Sequence, residues 1–355
     1  MKEQPTREKL ELQRKHDLLC DLIANESVAA DDFDNEKYDR MENAGKAVDF
    51  GINYLDDAIN GLLPSDFVVI GGRTGVGKSQ LASLIALHNI RQKKNVYYFA
   101  LEACNFETLR RLKYSLIRQY NPNMPTYKEW LKGENESEMV QFEEQAKSKN
   151  LFDLNFLKTF YRKSTRFGLE ELELLVDYNK ETTDLFIVDH LHYFDHDTSD
   201  ENIAIRDTLK KIRDLTLEYK VPIILIAHLR KKTKTDKELV PDLEEFHGSS
   251  EITKIPTQVI TLAKYYGDTD RSSAAMFPTL FKIAKDRDTG SNTIYTGLVH
   301  FDIANLSYTK EYDVYRLIKG GTTLGELKDY EMPKYYKQHL KERPQITNVY
   351  GGSYD

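Results

Sequence analysis

Cysteine is nearly missing from this chain: 355 residues contain two, Cys20 and Cys104. With no ligand-spaced pair among them, a disulfide scaffold and a cysteine-based zinc ribbon are excluded, and a reducing compartment is expected. No apolar run approaches the roughly 20 residues that span a bilayer, and no signal peptide is visible. No membrane partner is therefore expected, and the cytoplasm is the default location. An excess of positive charge is lacking too, since 50 Lys and Arg stand against 57 Asp and Glu for a formal net charge of −7. Such a surface repels nucleic acid as a whole, so any contact of that kind requires a local basic stretch. There is no internal repeat and no low-complexity tract. What remains is the composition of a soluble globular protein, long enough for one large domain with appendages or for two small ones.

The first 46 residues are rich in charge. In "TREKLELQRKHDLLCDLIAN", Leu12, Leu19 and Ile23 fall near one helical face with Leu18 and Leu22 beside it, and "DDFDNEKYDRMENAG" follows as an acidic linker. This predicts a short helical N-terminal arm, packed either on its own domain or on a neighbouring subunit. From about residue 50, strand and helix alternate. "DFVVIGG", "NVYYFAL", "LNFLKTF", "DLFIVDH" and "VPIILIAH" read as strands; "GKSQLASLIALHNIRQ", "NFETLRRLKYSLIRQY", "LEELELLVDYNK" and "NIAIRDTLKKIRDLTLEY" read as helices, with a polar helical stretch over about 126–149. Apolar strands alternating with helices predict an α/β fold whose mostly parallel central sheet is flanked by helices. "TQVITLAKYY", "TLFKIAKDR" and "TIYTGLVHFD" are expected to extend the sheet antiparallel at one edge. The expected division is an arm at 1–46, a core at 47–315 and a C-terminal tail at 316–355.

Chemistry enters with "GGRTGVGKS", which contains Gly72, Arg73, Thr74, Gly75, Val76, Gly77, Lys78 and Ser79 in the pattern G-x-x-x-x-G-K-S. Glycines let backbone N–H groups wrap phosphates at a helix N-terminus, whose dipole favours anions. Lys78 is read as reaching the β- and γ-phosphates, and the Ser79 hydroxyl as a Mg²⁺ ligand. A β-prone run precedes the motif and an amphipathic helix follows, so ATP or another nucleoside triphosphate is the expected ligand. Asp189 closes the apolar run "DLFIVD" and is read as the second Mg²⁺ ligand rather than a simple turn former. Glu102 sits where the neighbouring strand gives way to its helix, at the same rim, and is read as the catalytic base rather than a helix cap.

The order of these parts resembles the RecA-like P-loop NTPase core of the DnaB-type ring helicases, including the helicase half of phage primase-helicases and of mitochondrial Twinkle, over residues 48–312. The segment "GINYLDDAINGLLPSDFVVIGGRTGVGKS" resembles that family's opening, "VYYFALEACNFETLRRL" its glutamate motif, "LFIVDHLHYF" its Walker B and "VPIILIAHLRKK" its sensor motif. The resemblance implies an ATP-driven DNA helicase working in replication as a homo-hexamer on single-stranded DNA, with His228 contacting the γ-phosphate. It implies that the basic segment with Arg230, Lys231, Lys232, Lys234 and Lys237 tracks the DNA backbone; Arg206 is a further candidate. In "KIAKDRDTG", Lys285 and Arg287 alternate before a turn, on a strand expected toward the far edge of the sheet and out of reach of its own phosphate. The resemblance assigns both to the γ-phosphate of the next subunit.

His190, His192, His196, His228 and His247 are not read as a zinc site, because no Cys joins them and His190 follows directly on Asp189. Primase, polymerase or a loader are the expected partners. The opening 46 residues are too short for a primase module, a reduction expected of a phage or plasmid protein working in the host cytoplasm. Three alternatives stay open: a RecA-like recombinase or mediator, a P-loop kinase, and a DnaB-like ATPase that has lost unwinding and serves as a loader or defence component.

Overall fold

The computed structural model describes residues 13–20, 48–103, 106–121, 123–133, 136–148, 154–162, 166–196, 198–230, 237–246, 249–265, 276–287, 290, 294–304, 306–328, 331–333 and 336. The chain divides into two units, 1–47 and 48–355. In the first, residues 13–20 are helical and exposed; the other arm positions lie outside the described residues, as do Cys104, most of the tail and Lys231, Lys232, Lys234 and His247.

The second unit is built on ten strands: β1 (Phe67–Gly72), β2 (Val96–Ala100), β3 (Leu157–Tyr161), β4 (Leu185–Asp189), β5 (Ile223–His228), β6 (Gln258–Lys264), β7 (Met276–Asp286), β8 (Tyr295–Asp302), β9 (Ser307–Ile318) and β10 (Thr323–Gly325). Their order across one sheet is β10-β9-β8-β7-β6-β1-β5-β4-β2-β3. From β6 to β3 the pairings are parallel, and from β7 to β10 antiparallel. β6 thus belongs to the parallel half, contrary to the edge position expected for it. It is apolar on both faces, and it enters beside β1 with Val68 level with Gln258.

The strands read as near-continuous apolar runs because both faces are covered. Val68, Ile70, Leu185, Ile187, Ile224 and Ile226 point into a core roofed by α1 (Asn53–Ile59), α2 (Lys78–Arg91) and α3 (Glu107–Tyr120). Their neighbours Phe67, Val69, Phe186, Val188, Ile223 and Leu225 point into a second core. Leu172 and Val176 of α6 (Leu169–Asn179) and Leu209, Ile212 and Leu215 of α7 (Glu201–Tyr219) cover that face. Each such side chain contributes roughly 1.5–3 kcal/mol on burial, so a charge at Ile226 or Leu225 would open the sheet at its centre. Between β2 and β3, α4 (Tyr127–Leu131) and α5 (Glu136–Ser148) close a small satellite core of Tyr114, Ile117, Met124 and Met139 against α3. Thr126 starts α4 with a capping box to Glu129.

The sheet continues past residue 315: β9 runs to Ile318 and pairs with β10. β9 carries Lys310, Glu311, Asp313 and Arg316 and is only partly buried, which hides a strand pattern in the sequence. A last short helix, α8 (Ser249–Lys254), precedes β6. Among the described residues, no helix is long and apolar enough to cross a membrane.

Candidate nucleotide-binding site

β1 ends at Gly72 and α2 begins at Lys78, so the turn between them brings the helix N-terminus over the strand end. Gly77 takes φ 103°, in a region that side chains rarely adopt. A Cβ at Gly72 would lie 2.7 Å from Val76 Cγ2 and 3.1 Å from the Leu262 carbonyl. These two glycines of the motif are therefore required by geometry. Lys78 is 5% exposed, and its Nζ donates to the Arg73 carbonyl at 3.1 Å. Burial pulls its pKa down to about 8, against the opposing pull of Asp189 and Glu102.

Because β1, β5, β4 and β2 are parallel, their C-terminal ends share one rim. There His228 is level with Gly72, and Asp189 with Ala100. Asp189 Oδ2 accepts the Tyr98 hydroxyl at 2.9 Å, and the Ser79 hydroxyl lies beside this carboxylate. Oδ1 is buried and unpartnered. Burial raises the Asp189 pKa, which the Ser79 and Tyr98 hydroxyls oppose. A buried carboxylate with one oxygen open and a serine hydroxyl beside it fits a hard divalent cation.

Glu102 lies two residues beyond β2, with Leu101 N and Glu102 N donating to the Asp189 carbonyl at 2.8 and 3.3 Å. Its side chain is 45% exposed and turned into the cleft beside His190. His228 Nδ1 is buried without a partner. Burial, then Lys78 and His192, lower the His228 pKa to about 4, so its ring is neutral at pH 7. His190 is lowered by burial, His228, His192 and Lys78 to about 3. The structure therefore brings together Lys78, Ser79, Asp189, Glu102 and His228. Of the five histidines considered in the sequence it gathers two, His190 and His228, with Glu102, which that group did not include: the three place ligand-type atoms within 4.8 Å of one another.

The segment leaving β5 is anchored at both described ends. Leu229 bridges to Phe246, and Arg230 N donates to the Glu245 carbonyl at 3.0 Å. Glu245 is buried and paired with Arg73, so the phosphate loop is tied to the return of this segment. Lys282 of β7 ties to Asp242 of the same turn at 2.6 Å. Lys237 is exposed, and Arg206 Nε donates to Asp207 at 3.0 Å. Neither Glu245 nor Tyr98 could be picked out beforehand. Glu244 and Glu245 are equivalent in sequence, and in "VYYFA" both tyrosines fall on buried faces.

Lys285 and Arg287 are elsewhere. β7 is only two strands from β1, not at the far edge. It runs antiparallel, however, and Arg287 N donates to Thr257, whose own N donates to Phe67. Arg287 is thus level with the start of β1, five residues and about 16 Å before Gly72. It is the reversal of direction, not lateral distance, that separates the pair from this phosphate loop. Both side chains turn to the end of α8. Lys285 Nζ donates to the carbonyls of Lys254 (3.0 Å) and Pro256 (2.6 Å), and Arg287 Nη2 to those of Lys254 (2.9 Å) and Ile255 (3.1 Å). Burial, with Arg287 and Arg213 nearby, lowers the Lys285 pKa to about 8.

Residues 47–302 match the family described as DnaB-like helicase C terminal domain. A curated relative, "Probable replicative DNA helicase" of Trieres chinensis, is 22% identical over 277 residues, or 74% of this chain and 56% of that protein. The chain thus spans little more than half that relative's length. Among solved structures, an ATPase domain superposes with a TM-score of 0.66 at 17% identity, covering 81% of this chain and 100% of that one. "The Structure Of A DnaB-Like Replicative Helicase And Its Interactions With Primase" gives 0.57 at 15% identity, covering 89% and 72%. At these identities the two structures speak to the fold alone, which is RecA-like.

Proposed function

The chain belongs to the DnaB-like helicase C-terminal domain family, and from that premise we propose that it is an ATP-hydrolysing replicative DNA helicase that moves along single-stranded DNA as a hexameric ring and separates the strands. The observation that carries this reading is the split of the phosphate-directed residues. Lys78, Ser79, Asp189, Glu102 and His228 converge on one rim, while Lys285 and Arg287 stand at the other. A nucleotide held by one subunit then lacks its last two cations until a neighbour supplies them.

In this scheme the loop from Arg73 to Gly77 cradles the phosphates through backbone N–H groups and the Lys78 ammonium holds the β- and γ-oxygens. Ser79 and Asp189 are the residues to hold Mg²⁺, which when bound would neutralise phosphate charge and order the oxygens for in-line attack. Glu102 orients the attacking water and takes its proton. The neutral His228 ring offers an N–H to the γ-phosphate and loses that partner on hydrolysis. β5 leads from His228 directly into the basic segment at 230–237, so release of phosphate alters the footing of the DNA contacts of Arg230, Lys231, Lys232, Lys234 and Lys237. The partners under this reading are single-stranded DNA and a primase, polymerase or loader, and the setting is the cytoplasm, the host's if the chain is phage-encoded.

The test is strand separation on forked DNA by the wild type and by Lys78→Ala. Unwinding by the wild type that disappears in the variant is expected. Strong DNA-dependent hydrolysis without unwinding on either fork polarity would overturn the helicase assignment.

A further inference from the structure

His190 has no part in that scheme, yet it lies at the centre of the site and is 3% exposed. Its Nδ1 accepts the backbone N–H of His192 at 3.3 Å. In a neutral imidazole one nitrogen accepts and the other carries the proton, so the proton is on Nε2. Nε2 lies 3.2 Å from Glu102 Oε2 but is not aligned into a hydrogen bond, and it is a buried donor without a partner. Such a donor is costly to leave unmet, and a modest turn of the half-exposed Glu102 side chain satisfies it. Behind, the His190 ring packs edge-on against His228 at 4.1 Å and against Tyr193 at 4.8 Å, which fixes its plane.

We propose that His190 is a positioning residue for Glu102: its Nε2–H donates to the Glu102 carboxylate and holds it facing the phosphate loop, with the ring braced on His228. The proposal rests on the reading of Glu102 as the group that activates water. Glu102, His190 and His228 also have the donor set of a transition-metal site. A metal on Nε2 would require the proton on Nδ1, where it would face the His192 N–H donor. The geometry therefore favours a hydrogen-bonded chain over a cation site.

The test is steady-state ATP hydrolysis by the full chain with saturating oligo-dT, comparing His190→Leu, His190→Gln and His190→Asn. Loss of a group that orients a catalytic one costs about 10–100-fold. His190→Leu should lose that much in kcat while KM for ATP stays within about 2-fold. His190→Gln, whose amide N–H reaches the Nε2 position, should return to within about 5-fold of the wild type; His190→Asn, which is too short, should not. A Leu variant within about 3-fold of wild-type kcat overturns the proposal. So does equal activity of the Gln and Asn variants, a comparison that holds even if Leu fails to fold. Glu102→Gln separates the two readings: if it hydrolyses ATP normally, the role of Glu102 falls first, whereas an inactive Glu102→Gln beside an active His190→Leu removes only the positioning role.

Discussion

Arg287→Ala separates a structural role from a catalytic one by magnitude. Within its own subunit Arg287 contributes two hydrogen bonds from one nitrogen to the carbonyls of Lys254 and Ile255. The side chain is exposed, and the Lys254 carbonyl keeps Lys285 as a donor. Charge-assisted contacts of this kind at a helix end are worth about 0.5–1 kcal/mol. In a domain of this size that lowers Tm by about 2 °C. If Arg287 reaches the neighbour's γ-phosphate, its loss costs about 10³–10⁵ in hydrolysis, or roughly 4–7 kcal/mol of barrier. The expected result is therefore a protein that melts almost normally, binds a fluorescent ATP analogue and does not hydrolyse ATP. Mixing it with Lys78→Ala should restore part of the rate, since mixed assemblies contain interfaces with an intact loop on one side and an intact arginine on the other. Hydrolysis by Arg287→Ala at the wild-type rate refutes the assignment. So does a mixture that native mass spectrometry shows to be mixed but that stays inactive.

Two further predictions concern stability. Asp56 accepts the Phe50 N–H at 2.7 Å, yet burial, with Asp49 nearby, raises its pKa to about 7. Between its unfolded value near 4 and about 7 the folded state keeps a proton that the unfolded chain gives up, so stability falls as pH rises through this window. Asp56→Asn should remove about 2–4 kcal/mol of that decline, seen as a flatter Tm profile from pH 5 to 8 and a higher Tm than wild type at pH 8; identical profiles would contradict the burial argument. For the pair of Arg73 with buried Glu245, Glu245→Gln should cost about 2 kcal/mol in urea unfolding, and Arg73→Met with Glu245→Met less than the sum of the single changes. Additive costs would mean that the two ends are not coupled.

The parallel half of the fold is legible in the sequence because β1, β4 and β5 are apolar on both faces and each is followed or preceded by a helix of the right period. The phosphate loop is legible because only glycine tolerates φ 103° at residue 77 or fits beside the Leu262 carbonyl at residue 72. β9 is not, since a half-exposed strand carrying Lys310, Glu311, Asp313 and Arg316 resembles a solvated segment. Register is harder still. An antiparallel course is expected for "TLFKIAKDR", but only the pairing of Val259 with Lys285 shows that its cations stand at the rim opposite the phosphate loop. His190 is hidden for a different reason: its importance depends on which ring nitrogen carries the proton, and this is set by a backbone N–H two residues on.

The antiparallel course of β7 also bears on symmetry. If Lys285 and Arg287 serve the neighbouring nucleotide, each subunit is an acceptor at its phosphate loop on one side and a donor on the other, a head-to-tail contact. An open row of subunits then always leaves one loop without its cations and one pair of cations without a loop. Closure removes both ends at once, so every nucleotide site is complete only when the last subunit meets the first.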